Sequence, residues 1–219
     1  MGPENAMNAD DIHLDALAEV QREVLAVIGP IVDSDGFYLV GGTAVALQLG
    51  HRRSVDLDWF VGADFDDPQR YAGSLRSRGI EFETSSVGEG TLHGEVRGVR
   101  LSLLTYLYQL LDDLVPLSDV DCSMASLDDL VCMKLSAVAQ HGSKKDFVDI
   151  WAIHRHGTTL EEMFELYRRK YDTTDVAHLL ASLSYFDDAN SEPMPQMLCD
   201  VGWTDVKTTL RALVEDFAG

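Results

Sequence analysis

The fold is decided by the stretch FYLVGGTAVALQLGHRRSVDLDWF, which forms residues 37–60. Its first four residues are β-prone and predict a strand that ends at the turn Gly41-Gly42. The residues that follow are mostly good helix formers and end at a glycine, so they predict a helix over 43–49. A second strand is predicted over 55–61, where apolar and polar residues alternate. Strand, glycine turn, helix and strand therefore follow one another in one short segment.

The second predicted strand carries two carboxylates, Asp56 and Asp58. Side chains alternate along a strand, so these two point to the same face and lie about 7 Å apart. Like charges this close disfavour each other's ionised state unless a cation lies between them. A hard divalent ion resolves the conflict, and Mg²⁺ is the ion we expect. The alternative is a pair of solvated aspartates on an exposed strand.

The glycine turn offers a place for phosphate beside this pair. Gly41 and Gly42 let the backbone approach a ligand closely, and the helix that follows presents free N–H groups, including that of Thr43, at its positive end. A glycine pair alone can be only a turn. One helix away from two carboxylates, it favours a combined phosphate and metal site.

These motifs resemble a known family. A Gly-Gly turn followed by Asp-x-Asp is similar to the signature of the nucleotidyltransferase superfamily, and the fuller string GGTA…HRRSVDLDWF resembles the AbiEii/AbiGii toxin-like nucleotidyltransferases of type IV toxin–antitoxin systems. Two later stretches agree in order and character, ASLDDLVCMKLSAVA at 125–139 and GSKKDFVDIW at 142–151. The similarity extends over residues 35–219. It implies an α/β fold with a nucleotidyltransferase-type mixed β-sheet and flanking helices, followed by a helical C-terminal domain.

The domain organisation follows from length and local composition. A chain of 219 residues with 46% hydrophobic residues can bury a sizeable core. We expect a flexible lead-in over 1–10, the nucleotidyltransferase-like α/β domain over 11–118 and the helical domain over 119–219. The boundary is placed in an acidic stretch that contains proline. Within the first domain, a helix is predicted over 11–28, ending at Gly29-Pro30.

Charge and cysteine content narrow the function classes. The net charge of −20 argues against an extended nucleic-acid surface, because phosphate contacts need Lys and Arg. Basic residues nevertheless outnumber acidic ones over 134–170, a strip suited to a triphosphate or one RNA end. Three cysteines without paired spacing argue against a disulfide framework, and no apolar run is long enough to cross a membrane. We therefore expect a cytoplasmic protein without a membrane partner.

The helix predicted after Ser126 carries a lysine on its apolar stripe. Ser126 and Asp129 have the spacing of a helix cap, and Lys134 lies among the inward-facing residues. A lysine in that position must reach out to solvent or meet an anion. A buried ion pair with a nearby aspartate is one interpretation. Contact with the nucleotide phosphates is the other, and it is the one that the resemblance implies.

The next predicted helix begins with two lysines and two acids. Asp146 can serve as its cap, and Asp149 lies one turn later on the same side. The family pattern Lys-Asp-x-x-Asp falls on Lys145, Asp146 and Asp149. The resemblance implies a site role for all three, and we expect the two lysines, Lys144 and Lys145, to converge there with the acids.

One position departs from the superfamily pattern. The strand predicted over 99–105 is where the superfamily usually places a third metal-binding carboxylate, and Ser102 stands there. Glu95, Asp146 and Asp149 are the available substitutes. The histidines, His93 among them, show no zinc-binding spacing.

The sequence thus predicts Mg²⁺-dependent transfer of a nucleoside monophosphate from an NTP to an acceptor hydroxyl, with release of pyrophosphate. Catalytic roles fall on Asp56, Asp58, Lys134, Asp146 and Asp149, the metal on Asp56 and Asp58, and nucleotide contacts on Gly41, Gly42, Thr43, Arg52, Ser54 and Lys145. The resemblance further implies the toxin of a toxin–antitoxin pair, with a cognate antitoxin and an RNA end, tRNA in particular, as the acceptor.

Alternatives remain open. A small-molecule nucleotidyltransferase with an aminoglycoside-like cationic acceptor would suit the net acidity, and a catalytically degenerate nucleotide-binding module would suit Ser102. A protein acceptor is also considered: Ser54, two residues before Asp56, is a candidate for self-modification, and loop capping is the alternative for it.

Overall fold

A seven-stranded sheet with flanking helices forms the described part of the chain, which is residues 12–219 of a computed structural model. The predicted lead-in over 1–10 lies outside these residues. The strands are β1 Phe37–Val40, β2 Leu57–Val61, β3 Glu83–Gly88, β4 Thr91–Val96, β5 Val99–Thr105, β6 Val115–Leu117 and β7 Cys122–Met124. The helices are α1 Glu19–Ser34, α2 Gly41–Leu49, α3 Pro68–Ser77, α4 Leu127–Gln140, α5 Lys144–Arg155, α6 Leu160–Tyr171, α7 Ala177–Ser184, α8 Asp187–Asn190 and α9 Trp203–Ala218.

The sheet is mixed, with the strand order β3-β4-β5-β2-β1-β7-β6. Strand β2 runs antiparallel to β1 and parallel to β5, and β4 runs antiparallel to β5. Helices α4–α9 follow the sheet in the chain. The predicted fold class, a mixed sheet with flanking helices followed by a helical region, is confirmed.

The central segment forms as its residues predict. Strand β1 has the predicted bounds, and α2 begins two residues before the predicted start. Gly50 ends α2 in the left-handed conformation, with φ of 61°, which a glycine adopts without strain. Strand β2 is shorter than predicted, so Asp56 lies just before it and Asp58 lies within it.

One face of the sheet belongs to the core. Leu57, Trp59 and Leu101 are at most 1% exposed, and α1 and α3 pack against strands of the sheet. Because side chains alternate along a strand, Asp58 and Ser102 belong to the opposite face, where both are only partly buried. The apolar face therefore anchors β2 in the core, and the carboxylate of Asp58 points away from the core.

The predicted end of the first helix is wrong. Helix α1 continues through Pro30 to Ser34. Val32 is fully buried beyond the proline, so the apolar stripe of the helix extends past it. Proline leaves the carbonyl four residues earlier without its helical donor, but that residue, Ala26, is exposed, and water can serve it. Burial of the stripe outweighs the lost hydrogen bond.

The sheet continues past residue 118. Strand β7 pairs with β1 in parallel, and Leu39 lies opposite Met124. The division into domains at 118/119 stays a prediction. Within the described residues, no helix combines the length and the apolar character that crossing a bilayer requires.

Candidate functional site

A polar row crosses three neighbouring strands on one face of the sheet. Asp58 of β2 lies opposite Ser102 of β5, and Ser102 lies opposite His93 of β4. Residues directly opposite each other on paired strands share a face, so the three side chains point the same way. Ser102 thus stands beside Asp58, where the superfamily pattern led us to expect a third acid.

The two predicted metal ligands have different surroundings. Asp56 is ion-paired with Arg100, whose Nε and Nη2 lie 2.8 and 2.7 Å from its Oδ1. Burial raises the pKa of Asp58, the Ser102 hydroxyl partly offsets this, and the charge of Asp56 adds to it. The like-charge conflict predicted for this pair therefore acts on Asp58.

The donor set of this pair fits Mg²⁺. Among residues 12–219 there is no group of three or more His, Cys, Asp or Glu side chains that could hold a metal ion. Mg²⁺ is commonly held by one or two carboxylates, with substrate phosphates and water filling the other positions. Asp56 and Asp58 can supply the one or two carboxylate ligands that Mg²⁺ takes from a protein, provided that Arg100 releases Asp56.

Both glycines of the turn are required by neighbouring site residues. Gly41 has a φ of 68°, and a Cβ there would lie 2.7 Å from Oδ2 of Asp58. A Cβ on Gly42 would overlap the guanidinium of Arg52. The sequence predicted glycines for close approach to phosphate. The structure adds that only glycines let α2 begin between these two side chains.

The hydroxyls of Thr43 and Ser54 face each other. They lie 2.8 Å apart, and Thr43 also donates a hydrogen bond to the main-chain carbonyl of Asp56. Both residues are buried. They hold the loop after α2 against the start of that helix. For Ser54 these contacts favour loop capping over the role of internal acceptor.

A buried ion network lies behind the glycine turn and centres on Asp149. Its Oδ1 is 2.7 Å from Nε of Arg52 and 2.8 Å from Nε2 of His51, and its Oδ2 is 2.8 Å from Nη2 of Arg52. Burial alone would raise the pKa of Asp149, but Arg52 and Lys134 hold it well below its usual range. Arg52 uses these donors to bind Asp149 inside the protein. This favours a structural role for Arg52 over contact with the nucleotide.

Lys134 joins this network to the polar row. Its Nζ lies 2.7 Å from Asp146 and 2.7 Å from Asp149. Burial opposes its charge, yet the two carboxylates raise the pKa of Lys134, so it remains an ammonium. Lys134 also lines the same cavity as Asp58. The ion pair weighed from the sequence is present, and phosphate contact stays a prediction.

The two lysines at the start of α5 do not converge on the site as expected. Lys144 is buried, donates to the carbonyl of Glu192 and lies 5.1 Å above the ring of Trp203. Lys145 is exposed, and its charge lowers the pKa of Asp58 against the larger effect of burial. Of the two, Lys145 is therefore the one left to meet a ligand.

A cavity of about 300 Å³ opens on the polar row. Asp58, His93, Ser102 and Lys134 line it, together with apolar residues such as Met133. Sequence reasoning missed His93, because the row exists only once β4, β5 and β2 are side by side. In the sequence, the one signal that could have pointed to His93 was its alternation with apolar neighbours in β4.

None of the three proposed substitutes for the third acid is free beside Asp58. Glu95 lies opposite Arg100, and this pair is two residues along the strands from the pair of His93 and Ser102. Asp146 and Asp149 are held by Lys134.

Comparisons with known proteins identify the family of the chain. A family model described as nucleotidyl transferase AbiEii toxin, type IV TA system, matches residues 99–218. An uncharacterised protein from Aquifex aeolicus (strain VF5) is 34% identical over 207 residues, which are 92% of this chain and 97% of that protein.

Solved structures share the fold. JHP933 from Helicobacter pylori matches with a TM-score of 0.53 and 14% identity, over 98% of this chain and 92% of its own. MenT4, a nucleotidyltransferase toxin from Mycobacterium tuberculosis H37Rv, matches with a TM-score of 0.51 and 16% identity, over 96% of this chain and 87% of its own.

Proposed function

Because the chain belongs to the AbiEii nucleotidyl transferase toxin family, we propose that it transfers a nucleoside monophosphate from an NTP to an acceptor hydroxyl in the presence of Mg²⁺. The observation that carries this proposal is the placement of Asp58, which lies against the glycine turn and lines one cavity with Lys134. A carboxylate suits the metal, and a glycine turn at a helix start together with a lysine suits the phosphates of a metal-bound triphosphate.

Different residues of the chain would bind the metal, bind the phosphates and balance their charge. Asp56 and Asp58 would hold Mg²⁺, which when bound neutralises phosphate oxygens and makes the α-phosphorus easier to attack. The backbone N–H groups of Gly42 and Thr43 at the start of α2 would seat the outer phosphates. Lys134 and Lys145 would balance their charge.

The buried network prepares this arrangement. Asp149 joins Arg52 of the loop after α2 to Lys134 of α4 and to its own helix α5. Asp146 adds a second carboxylate beside Lys134. The two carboxylates of Asp146 and Asp149 thus balance the charges of Arg52 and Lys134. Lys134 can therefore stay charged at the cavity wall when no ligand is bound. We assign Asp146 and Asp149 the role of positioning Lys134.

Membership of the family implies an antitoxin partner and an NTP substrate. We propose that the chain acts as the toxin of the pair in the cytoplasm, and that the acceptor is an RNA end, with tRNA favoured. Exposed cations of the stretch 134–170, such as Lys145, Arg155 and Arg169, support this choice, whereas Lys134, Lys144 and Lys170 of the same stretch are buried.

The test is incubation with each labelled NTP, Mg²⁺ and total bacterial RNA, followed by gel separation. Label should appear on small RNA with the wild type and be absent with Asp58→Asn. Label found only on an added aminoglycoside would contradict the RNA assignment and favour the small-molecule alternative. Tight nucleotide binding without any labelled product would favour a degenerate binding module.

A further inference from the structure

His93 faces the cavity from the far end of the polar row. It is partly exposed, and its imidazole makes none of the side-chain hydrogen bonds or ion pairs found among residues 12–219. Buried neighbours of β4, such as Leu92, point to the other face. An imidazole with no partner among these residues, pointing into a cavity beside a proposed metal ligand, is free to meet a substrate.

We propose that His93 is a catalytic residue that accepts the proton of the acceptor hydroxyl. This inference rests on the proposed nucleotidyl transfer and names the group that handles its proton. Imidazole suits the task because it exchanges a proton near neutral pH. Sequence patterns alone assign His93 no role.

The other candidate bases near the cavity are engaged or do not line it, as for Glu95, which shares the face of His93 and lies opposite Arg100. Ser102 is not a base, and Asp146 and Asp149 are held by Lys134. Asp56 and Asp58 are needed for the metal. Among the described side chains that line the cavity, His93 is the one with both a proton-accepting atom and no assigned partner.

The spacing of the strands leaves room for the reaction. Neighbouring strands lie about 4.8 Å apart, and His93 is two strands away from Asp58. The gap spanned by Ser102 can therefore hold an acceptor hydroxyl between the imidazole and a phosphate bound at Asp58. Apolar side chains of the cavity, such as Phe60 and Met133, would contact the rest of the acceptor end.

Bonds and protons balance in this step. The acceptor oxygen forms a bond to the α-phosphorus, and the bond from that phosphorus to the oxygen bridging to the β-phosphate breaks. Pyrophosphate leaves with that electron pair. The hydroxyl proton moves to His93, and the resulting imidazolium, at the opposite end of the polar row from Asp58, later returns the proton to water.

The experiment compares wild type with His93→Gln and His93→Ala under single-turnover conditions, using labelled NTP, Mg²⁺ and the RNA acceptor. Transfer should slow by roughly a hundredfold or more in both variants, which is the lower range for loss of a general base. NTP affinity, measured by equilibrium dialysis, should stay within about threefold, which corresponds to a shift of at most about 0.65 kcal/mol. Added imidazole should restore part of the rate of His93→Ala. His156→Gln, an exposed histidine at the end of α5, is the matched control and should behave as wild type.

Unchanged transfer by His93→Gln would overturn this role, and so would a loss of NTP affinity as large as the loss of rate with no rescue by imidazole. Those results would leave the transferase itself intact. A wild type that labels no acceptor would instead overturn the proposed function, and the role of His93 with it.

Discussion

At the scale of single residues, Lys134 and Asp149 show how charge is kept inside the protein. Asp149 is fully buried, yet it meets His51, Arg52 and Lys134. Breaking a buried pair on one side leaves an uncompensated charge, which costs far more than the pair itself contributes. The aspartates that surround Lys134 thus keep it charged and in place at the cavity wall.

This predicts two separable effects at Lys134. Lys134→Met should lower the free energy of unfolding by about 3 kcal/mol, because Asp146 and Asp149 lose a buried partner. Adding Asp146→Asn should recover part of that stability by removing one of the two carboxylates. NTP affinity should remain lost in both variants, since the cation is absent. Urea denaturation and equilibrium dialysis measure the two effects.

Recovery of NTP affinity together with stability in the double variant would contradict the phosphate contact. Lys134 would then be an ion-pair partner alone, which is the other interpretation of its sequence position.

At the scale of elements, the start of α2 explains why two glycines occur together. Gly41 lies against Asp58 and Gly42 against Arg52, so each glycine admits one side chain of the site. Strand β1, α2 and β2 were predictable because their signals are local: β-prone residues, good helix formers and a glycine stop. The crowding at the turn was not, because Arg52 is placed by Asp149, 97 residues away in the sequence.

Gly42→Ala is therefore expected to destabilise the protein by about 1–3 kcal/mol, the usual cost of overpacking, as Arg52 is pushed from Asp149. Gly73→Ala in α3 is the matched control, because a Cβ at that position would meet no neighbouring heavy atom within 4 Å. It should stabilise by up to about 1 kcal/mol through helix propensity. Thermal unfolding of both variants decides this, and a neutral Gly42→Ala would show that Arg52 does not require a glycine there.

At the scale of the whole molecule, strand order decides what sequence reasoning could reach. Asp56 and Asp58 were found from a two-residue spacing, which needs no knowledge of the fold. The row of Asp58, Ser102 and His93 needs β5 placed beside β2 and β4 beside β5, and no local pattern specifies that order. The sequence pattern ended helix α1 too early because burial of its stripe outweighs the effect of Pro30.

The net charge of −20 does not by itself give the charge of the site, because the fold decides which acidic residues are paired with cations. Two of the acids, Asp146 and Asp149, are buried and neutralised by Arg52 and Lys134. Asp56 is paired with Arg100, which must release it before Mg²⁺ can bind. The acidic composition of the whole chain therefore does not describe the site. The charge of the site is set by a few ion pairs.

Asp56 and Asp58 are the residues proposed to hold a metal-bound nucleotide, and removing both charges tests this most directly. Calorimetric titration of each NTP in Mg²⁺ should show binding by the wild type that Asp56→Asn with Asp58→Asn reduces below detection, because neutral amides hold a hard cation poorly. Asp64→Asn with Asp66→Asn is the matched control, since these aspartates have the same spacing and are exposed. It should bind as wild type does. Equal binding of Mg²⁺ and NTP by the Asp56 and Asp58 double variant would contradict the assignment of this site.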